Sequence, residues 1–312
     1  QYSSNNAPSL VTITDDGVEF RSHWDGSRHF FTPEKSIEIQ HALAADITIA
    51  FDECTPYPAT HTYAHKAMER THRWAVRSKA ANAKCQMLNA KSGKPKQALY
   101  GVVQGSVFED LRSASAEFIS SLDFDGIAIG GVSVGESKKE MVDVLDWTVP
   151  LLPNDKPRHL LGVGEIDDIF ELVARGIDTF DCVQPTRLAR MGRVYAPVRH
   201  SRPHQGKRSG NPSLMKDWIL GSSPRMTHRA RFEIDITKKI YAEDSNPIDK
   251  ACQCYTCRNF SRAYLHHLFR VRELLAYRLA TIHNIHFINT LMSEIRQAIA
   301  DGSLLELKKQ WI

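Results

Sequence analysis

Short apolar runs recur along the first part of the chain, and each ends in polar or glycine residues before a stretch with helical spacing begins. Asp46–Phe51 ends at Asp52-Glu53-Cys54, Ala98–Val103 at Gln104-Gly105-Ser106, and Gly126–Ile129 at Gly130-Gly131-Val132-Ser133-Val134-Gly135-Glu136. Arg158–Leu161 then ends at Gly162-Val163-Gly164, and Ile177–Phe180 at Asp181. Between these runs, amphipathic stretches from about Ala64 to Lys84, Phe108 to Leu122, Lys138 to Leu151 and Asp167 to Ala174 predict helices. Upstream, Ser9–Thr14 and Gly17–Ser22 alternate around the turn Asp15-Asp16-Gly17, which predicts a β-hairpin. Thr32 before Pro33 marks the N-cap of one more helix.

Five apolar strands alternating with helices imply parallel strands joined by helical crossovers. Two architectures share that pattern. A doubly wound sheet that binds dinucleotides carries a Gly-x-Gly-x-x-Gly turn after an early strand, and none is there. The polar strand ends are spread over all five units instead, as in an eight-stranded barrel whose strand C-termini form one catalytic face. The expectation is an α/β chain of the (β/α)8 TIM-barrel class. It is expected to be N-terminally incomplete, because five units do not close a barrel and the chain opens at Gln1 in the loop-like QYSSNNAPS. The stretch Gly176–Gly192 is central: Ile177–Phe180 reads as a short buried strand with Asp181 at its C-terminal end. Taken alone, such an aspartate more often caps the next turn.

Composition narrows the class without deciding it. The chain has 312 residues, 42% hydrophobic and 24% charged, which is ordinary for a globular protein. A net charge of +4 and a pI near 8.7 permit a polyanionic partner but do not demand one. No run approaches the roughly 18 apolar residues of a membrane span, and no basic-then-apolar leader opens the chain. A cytoplasmic protein without membrane contact is therefore expected. Basic residues gather in 197–231, where Asp217 is the only acid and no period is sustained. That stretch reads as an inserted, largely disordered loop between a barrel portion at 1–196 and a zinc-binding subdomain with C-terminal helices at 232–312. It suits a phosphate backbone, and equally a tolerated surface insertion.

Six cysteines are too few for a disulfide scaffold in a chain of this length, and three crowd at Cys252, Cys254 and Cys257. Three thiolates lack the fourth ligand of a tetrahedral structural zinc. Spacing alone does not choose among His266, His267, His283 and His286.

At AFDECTPYPA, VVQGSVFEDLR, GGVSVGE, LLGVGEIDDI, RGIDTFDCVQPTR, CQCYTC and SRAYLHHL the chain resembles the tRNA-guanine transglycosylases of the bacterial, queuosine-pathway type. The resemblance runs from near Val18 to the C-terminus apart from the basic insert. It implies a β/α barrel with an inserted zinc subdomain. It also implies an activity: exchange of guanine at the wobble position of tRNA for 7-aminomethyl-7-deazaguanine, through a covalent glycosyl-enzyme.

Residue by residue, the resemblance implies Asp181 as the nucleophile and Asp52 as the acceptor for the guanidine-like edge of the purine. Gln104 and the amide of Gly131, beside Gly130, are implied at the base carbonyl. The Val132-Ser133 peptide would face the aminomethyl group with Glu136 behind it, and Leu161 and Gly162 would floor the pocket. Cys54 and Val134 look like the bacterial residues, which implies preference for the smaller aminomethyl base. Arg187 and Arg190 would contact the anticodon loop, Cys252, Cys254, Cys257 and His283 would hold a structural Zn2+, and the protein would be a homodimer. Two departures stand out. The family's Asp-Ser-Gly-Gly-like motif, whose aspartate is the general acid/base, lies before the point where this chain begins, and the basic insert is foreign to the family. The rival expectation is a catalytically impaired fragment or a non-catalytic tRNA-binding partner subunit.

Overall fold

The computed structural model describes residues 10–93, 95–196 and 232–312; the basic stretch 197–231 lies outside the described residues. They fall in two compact units, Gln1–Asp181 and Cys182–Ile312.

The first unit opens with β1 (Val11–Ile13) and β2 (Val18–Arg21), paired antiparallel as the alternation predicts. A third strand, β3 (Arg28–Phe31), pairs antiparallel with β2. Three of its four residues are exposed, so it has no alternation to read. The hairpin turn is tied to the body through Asp15, whose carboxylate accepts from Arg70 at 3.0 Å and Arg73 at 2.8 Å while its carbonyl takes the indole N–H of buried Trp74 at 2.7 Å. Helix α1 (Pro33–Leu43) starts at the predicted cap, with Thr32 Oγ1 accepting the Lys35 N–H at 3.2 Å.

From there strand and helix alternate: β4 (Ile47–Ile49), α2 (His61–Lys91), β5 (Ala98–Val103), α3 (Glu109–Ser121), β6 (Gly126–Ile129), α4 (Lys138–Thr148), β7 (Arg158–Leu160), α5 (Ile166–Ala174) and β8 (Thr179–Phe180). The five strands form one parallel sheet in the order β4-β5-β6-β7-β8. Spatial order follows chain order with no reversal. A doubly wound sheet reverses at its switch point, so this is the run of a β/α barrel. β6 is buried along its whole length and β5 at all but its first residue, as the central strands of a sheet covered on both faces must be. Val103, Ile127, Ile129 and Leu160 from the strands pack with Ala116, Ile119, Val144, Leu145 and Leu172 from the helices in one core.

The strand before Asp181 departs from expectation. It is two residues long and among the described residues pairs only with β7 at the end of the sheet; Thr179 and the Asp181 that follows it are exposed. Ile177 alone of that run is fully buried, so a β-branched run reads as a buried strand while the chain in fact runs along an edge.

In the second unit, α6 (Gln184–Arg190), β9 (Arg193–Tyr195), β10 (Glu233–Asp235), α7 (Tyr255–Asn259), α8 (Arg262–Arg270), α9 (Leu274–Ala300) and α10 (Leu304–Trp311) follow in order. β9 and β10 pair antiparallel. α6 and β9 pack against α9. Asn284 of α9 holds them there, accepting the Tyr195 N–H at 2.9 Å and donating to Pro185 O at 3.0 Å and Arg193 O at 3.1 Å. Among the described residues no helix is long and apolar enough to cross a membrane.

Candidate active site and metal cluster

The strand ends collect the chemistry. After β4, Asp52 is half-buried and accepts a hydrogen bond from Gln104 Nε2, which follows β5, at 2.6 Å. Burial pushes the Asp52 carboxyl above its usual 3.8, against the Gln104 bond, which pulls it down, and neighbouring Glu53 adds a smaller upward push. Glu53 faces the other way. It is buried against Arg70 and receives the Tyr63 hydroxyl at 2.7 Å, so the adjacent acids are separated in role.

Gln104 is fully buried, and its Oε1 finds no partner among the described residues. Its Nε2 spends one N–H on Asp52 and keeps a second. The amide lies so close to the β6 loop that a Cβ on Gly130 would meet Nε2 at 2.6 Å and one on Gly131 would meet Oε1 at 2.4 Å. Gly131 also has φ +66°, a left-handed conformation that only glycine adopts freely. Val132 is buried beside it. Cys54 stands against the Gly131 amide; partial desolvation and the Asp52 charge raise its thiol, while that amide and Arg112 oppose the rise.

Glu136 closes the same loop. Its carboxylate receives the N–H groups of Ser133, Val134 (2.9 Å) and Gly135 (3.1 Å), so it holds the loop as a backbone cradle holds an anion. Further along the sheet, Asp181 Oδ1 accepts the Gly162 N–H at 2.9 Å and lies 3.2 Å from His159 Nε2, whose Nδ1 meets Thr179 Oγ1 at 2.8 Å. An ionised carboxylate only accepts, so with Asp181 ionised the His159 proton sits on Nε2. Among the described residues Asp181 Oδ2 has no hydrogen-bond partner, and the side chain is 58% exposed. Leu161 sits half-buried beside Gly162. This leaves one carboxylate oxygen anchored and the other open to solvent, which suits an attacking group.

Sequence reading missed two members of this arrangement. His159 lies 22 positions before Asp181, and only its polarity inside an apolar run marks it. Arg112 carries a clearer signal. It shares the positions i, i+3, i+4 and i+7 with Ser115, Ala116 and Ile119, the buried face of α3, so helical spacing alone puts a cation inside.

In the second unit, Cys252, Cys254, Cys257 and His283 come together with all ligand atoms within 4.8 Å of one another. His283 Nδ1 lies 3.7, 3.5 and 3.3 Å from the three sulfurs in that order. Tetrahedral zinc with ordinary bond lengths separates sulfur from nitrogen by about 3.5 Å, so the set fits. His283 Nε2 donates to Tyr195 O at 2.7 Å, which leaves Nδ1 unprotonated toward the sulfurs, the tautomer a ligand needs. Hydrogen bonds from Cys252 and Cys257 hold the Cys254 thiol well below its ordinary value, while bonding to Cys252 and Cys254 drives Cys257 up. His266, one of the candidates the spacing left open, turns instead to Ile236 O at 2.9 Å. Arg262 is taken up by Asp244 at 3.0 Å and Ile248 O at 2.6 Å. Arg187 and Arg190 are exposed on one face of α6.

Parallel strands in barrel order, carboxylates at their C-terminal ends and a separate Cys3His cluster define an enzyme of the β/α-barrel class with a metal-binding subdomain. The family model described as queuine tRNA-ribosyltransferase matches residues 1–312, and the chain belongs to that family of pentosyltransferases, which act on tRNA and a guanine-type base. Similar proteins named queuine tRNA-ribosyltransferase come from Thermoanaerobacter pseudethanolicus, 50% identical over 97% of this chain and 70% of that one, and Desulforamulus reducens, 47% identical over the same shares. One from Roseiflexus is 44% identical over 98% of this chain and 69% of its own length.

Proposed function

We propose that this chain exchanges the wobble guanine of tRNA for 7-aminomethyl-7-deazaguanine in queuosine synthesis, with Asp181 as nucleophile. The observation that carries this reading is the half-anchored Asp181 carboxylate in the same sheet as the Asp52–Gln104 pair and its glycine wall. Asp181 Oδ2 attacks the anomeric carbon of the ribose. The bond to guanine N9 breaks, its electron pair leaves with the purine, and the base takes up a proton as it departs. N9 of the incoming base then attacks the same carbon, gives up its proton to solvent and releases the Asp181 carboxylate, which keeps the ribose configuration, as in retaining glycosidases. The Gly162 N–H and His159 steady the carboxylate without blocking Oδ2.

Asp52 accepts from the N1–H and exocyclic amine of the purine, a pair that adenine lacks. The spare Gln104 N–H and the Gly131 amide take the base carbonyl, and the Val132-Ser133 peptide, backed by Glu136, meets the 7-substituent. Cys54, Leu161 and Gly162 complete the walls. Arg187 and Arg190 offer guanidinium groups to unstacked loop RNA. The Cys3His set holds a structural Zn2+, and the active form is a homodimer.

The test is incorporation of labelled guanine into unmodified tRNA carrying a wobble guanosine, for this chain and for Asp181→Ala. Exchange that the substitution abolishes supports the reading. Tight tRNA binding with no exchange by the parent chain sinks it and leaves a tRNA-binding subunit in its place.

A further inference from the structure

Arg112 has no exposed surface, and among the described residues its guanidinium donates to backbone carbonyls alone. They are Ser106 O at 2.6 Å and Val103 O at 3.3 Å from the end of β5, and Gly130 O at 2.8 Å and Gly131 O at 3.2 Å from the end of β6. Burial lowers its pKa to about 10, so it keeps its charge at neutral pH. A buried cation without a carboxylate is expensive, and a structural brace between two loops does not require one. The charge instead bears on two particular peptides.

Both peptides are trans, the Tyr57-Pro58 bond being the cis bond among the described residues. In a trans peptide the carbonyl and the N–H point in opposite directions. Clamping Gly130 O therefore aims the Gly131 N–H away from Arg112, and clamping Gly131 O does the same for the Val132 N–H. The Gly131 amide accordingly faces the Cys54 side of the pocket. A cation on the carbonyl also draws electron density from its own N–H, which becomes a stronger donor.

We infer that Arg112 is a specificity-setting positioning residue, which orients and polarises the Gly131 amide so that it selects a purine bearing a carbonyl oxygen at position 6. The inference rests on the base-site reading above and goes beyond it by naming the group that makes the Gly131 amide discriminate. Arg112 itself touches no ligand.

Binding of guanine and of 2-aminopurine, which lacks the oxygen, is measured by titration for the wild type, Arg112→Lys and Arg112→Gln. The wild type prefers guanine, both variants lose about tenfold in guanine affinity, and 2-aminopurine affinity stays within about twofold. Equal losses for both ligands make Arg112 a structural brace and overturn the inference, as does a variant that keeps the full preference. A wild type that binds both bases equally overturns the base-site reading and the inference with it, a result distinct from the others. Should neither variant fold, the wild type decides by NMR. Guanine moves the Gly131 amide proton downfield and 2-aminopurine does not; an unmoved Gly131 amide in the guanine complex overturns the inference.

Discussion

Asp52 shows how burial sets the titration of a single residue. Its pKa in the folded chain is raised above the usual 3.8 by burial, so the native state holds the proton more tightly than the unfolded chain does. Stability contributed by this group is therefore full at low pH and is lost as pH rises from about 4 through the raised value. Asp52→Asn removes that titration while keeping a side chain that accepts from Gln104. Urea unfolding between pH 4 and pH 8 is expected to show a falling slope for the wild type that is reduced in the variant, and at neutral pH the variant is at least as stable. A wild type that gains stability relative to the variant over this range would contradict the burial argument. Base binding moves the other way. An amide cannot accept from both donors of the purine edge, and guanine affinity falls ten- to a hundredfold, on the order expected for a lost hydrogen bond to a charged group. The carboxylate itself was legible as a strand-end acid. Its tension with Gln104 was not, because the two lie 52 positions apart.

At the scale of elements, α9 organises the second unit through two adjacent side chains. His283 turns to the cysteines and Asn284 to β9 and α6, and both are fully buried. Asn284→Ala leaves the Tyr195 N–H and the carbonyls of Pro185 and Arg193 without that partner. The loss is expected to be about 2–4 kcal/mol by denaturant unfolding, since each buried group left unpaired costs roughly 1 kcal/mol or more. Zinc should be released by a strong chelator in a ratio of one per chain, with the melting temperature falling roughly 5–15 °C. Cys257→Ser is expected to prevent stoichiometric loading; a variant that retains one zinc per chain would remove Cys257 from the ligand set. Three of the four residues of the cluster were visible as CxCxxC, whereas the fourth came only from resemblance. Spacing cannot show which of several histidines a helix will turn inward, and the packing of α9 on the cysteine loop decides it. The parallel strands were legible for a related reason. Buried strands are apolar whatever their neighbours, while β3, at the margin of its sheet, carries no such mark.

Across the whole molecule a net charge of +4 says little about RNA, because several arginines among the described residues are already committed to carboxylates. Arg70 and Arg73 serve Asp15, Arg77 serves Glu34, Arg175 serves Asp146 and Glu171, and Arg262 serves Asp244. Arg187 and Arg190 have no ion-pair partner among the described residues, and both are exposed. A cation already neutralised by a carboxylate releases few counterions when it meets a phosphate, while a free one releases close to its full share. The salt dependence of tRNA binding therefore counts the free cations. For each phosphate contact removed, the slope of log affinity against log salt concentration is expected to fall by about 0.7 on unpaired RNA. Arg187→Ala with Arg190→Ala should flatten the slope by about 1.4 and weaken tRNA binding, leaving guanine affinity unchanged, whereas Arg175→Ala should leave the slope where it was. An unchanged slope in the double variant would move the RNA contact away from α6, and the next cations to test would be those of the basic stretch 197–231.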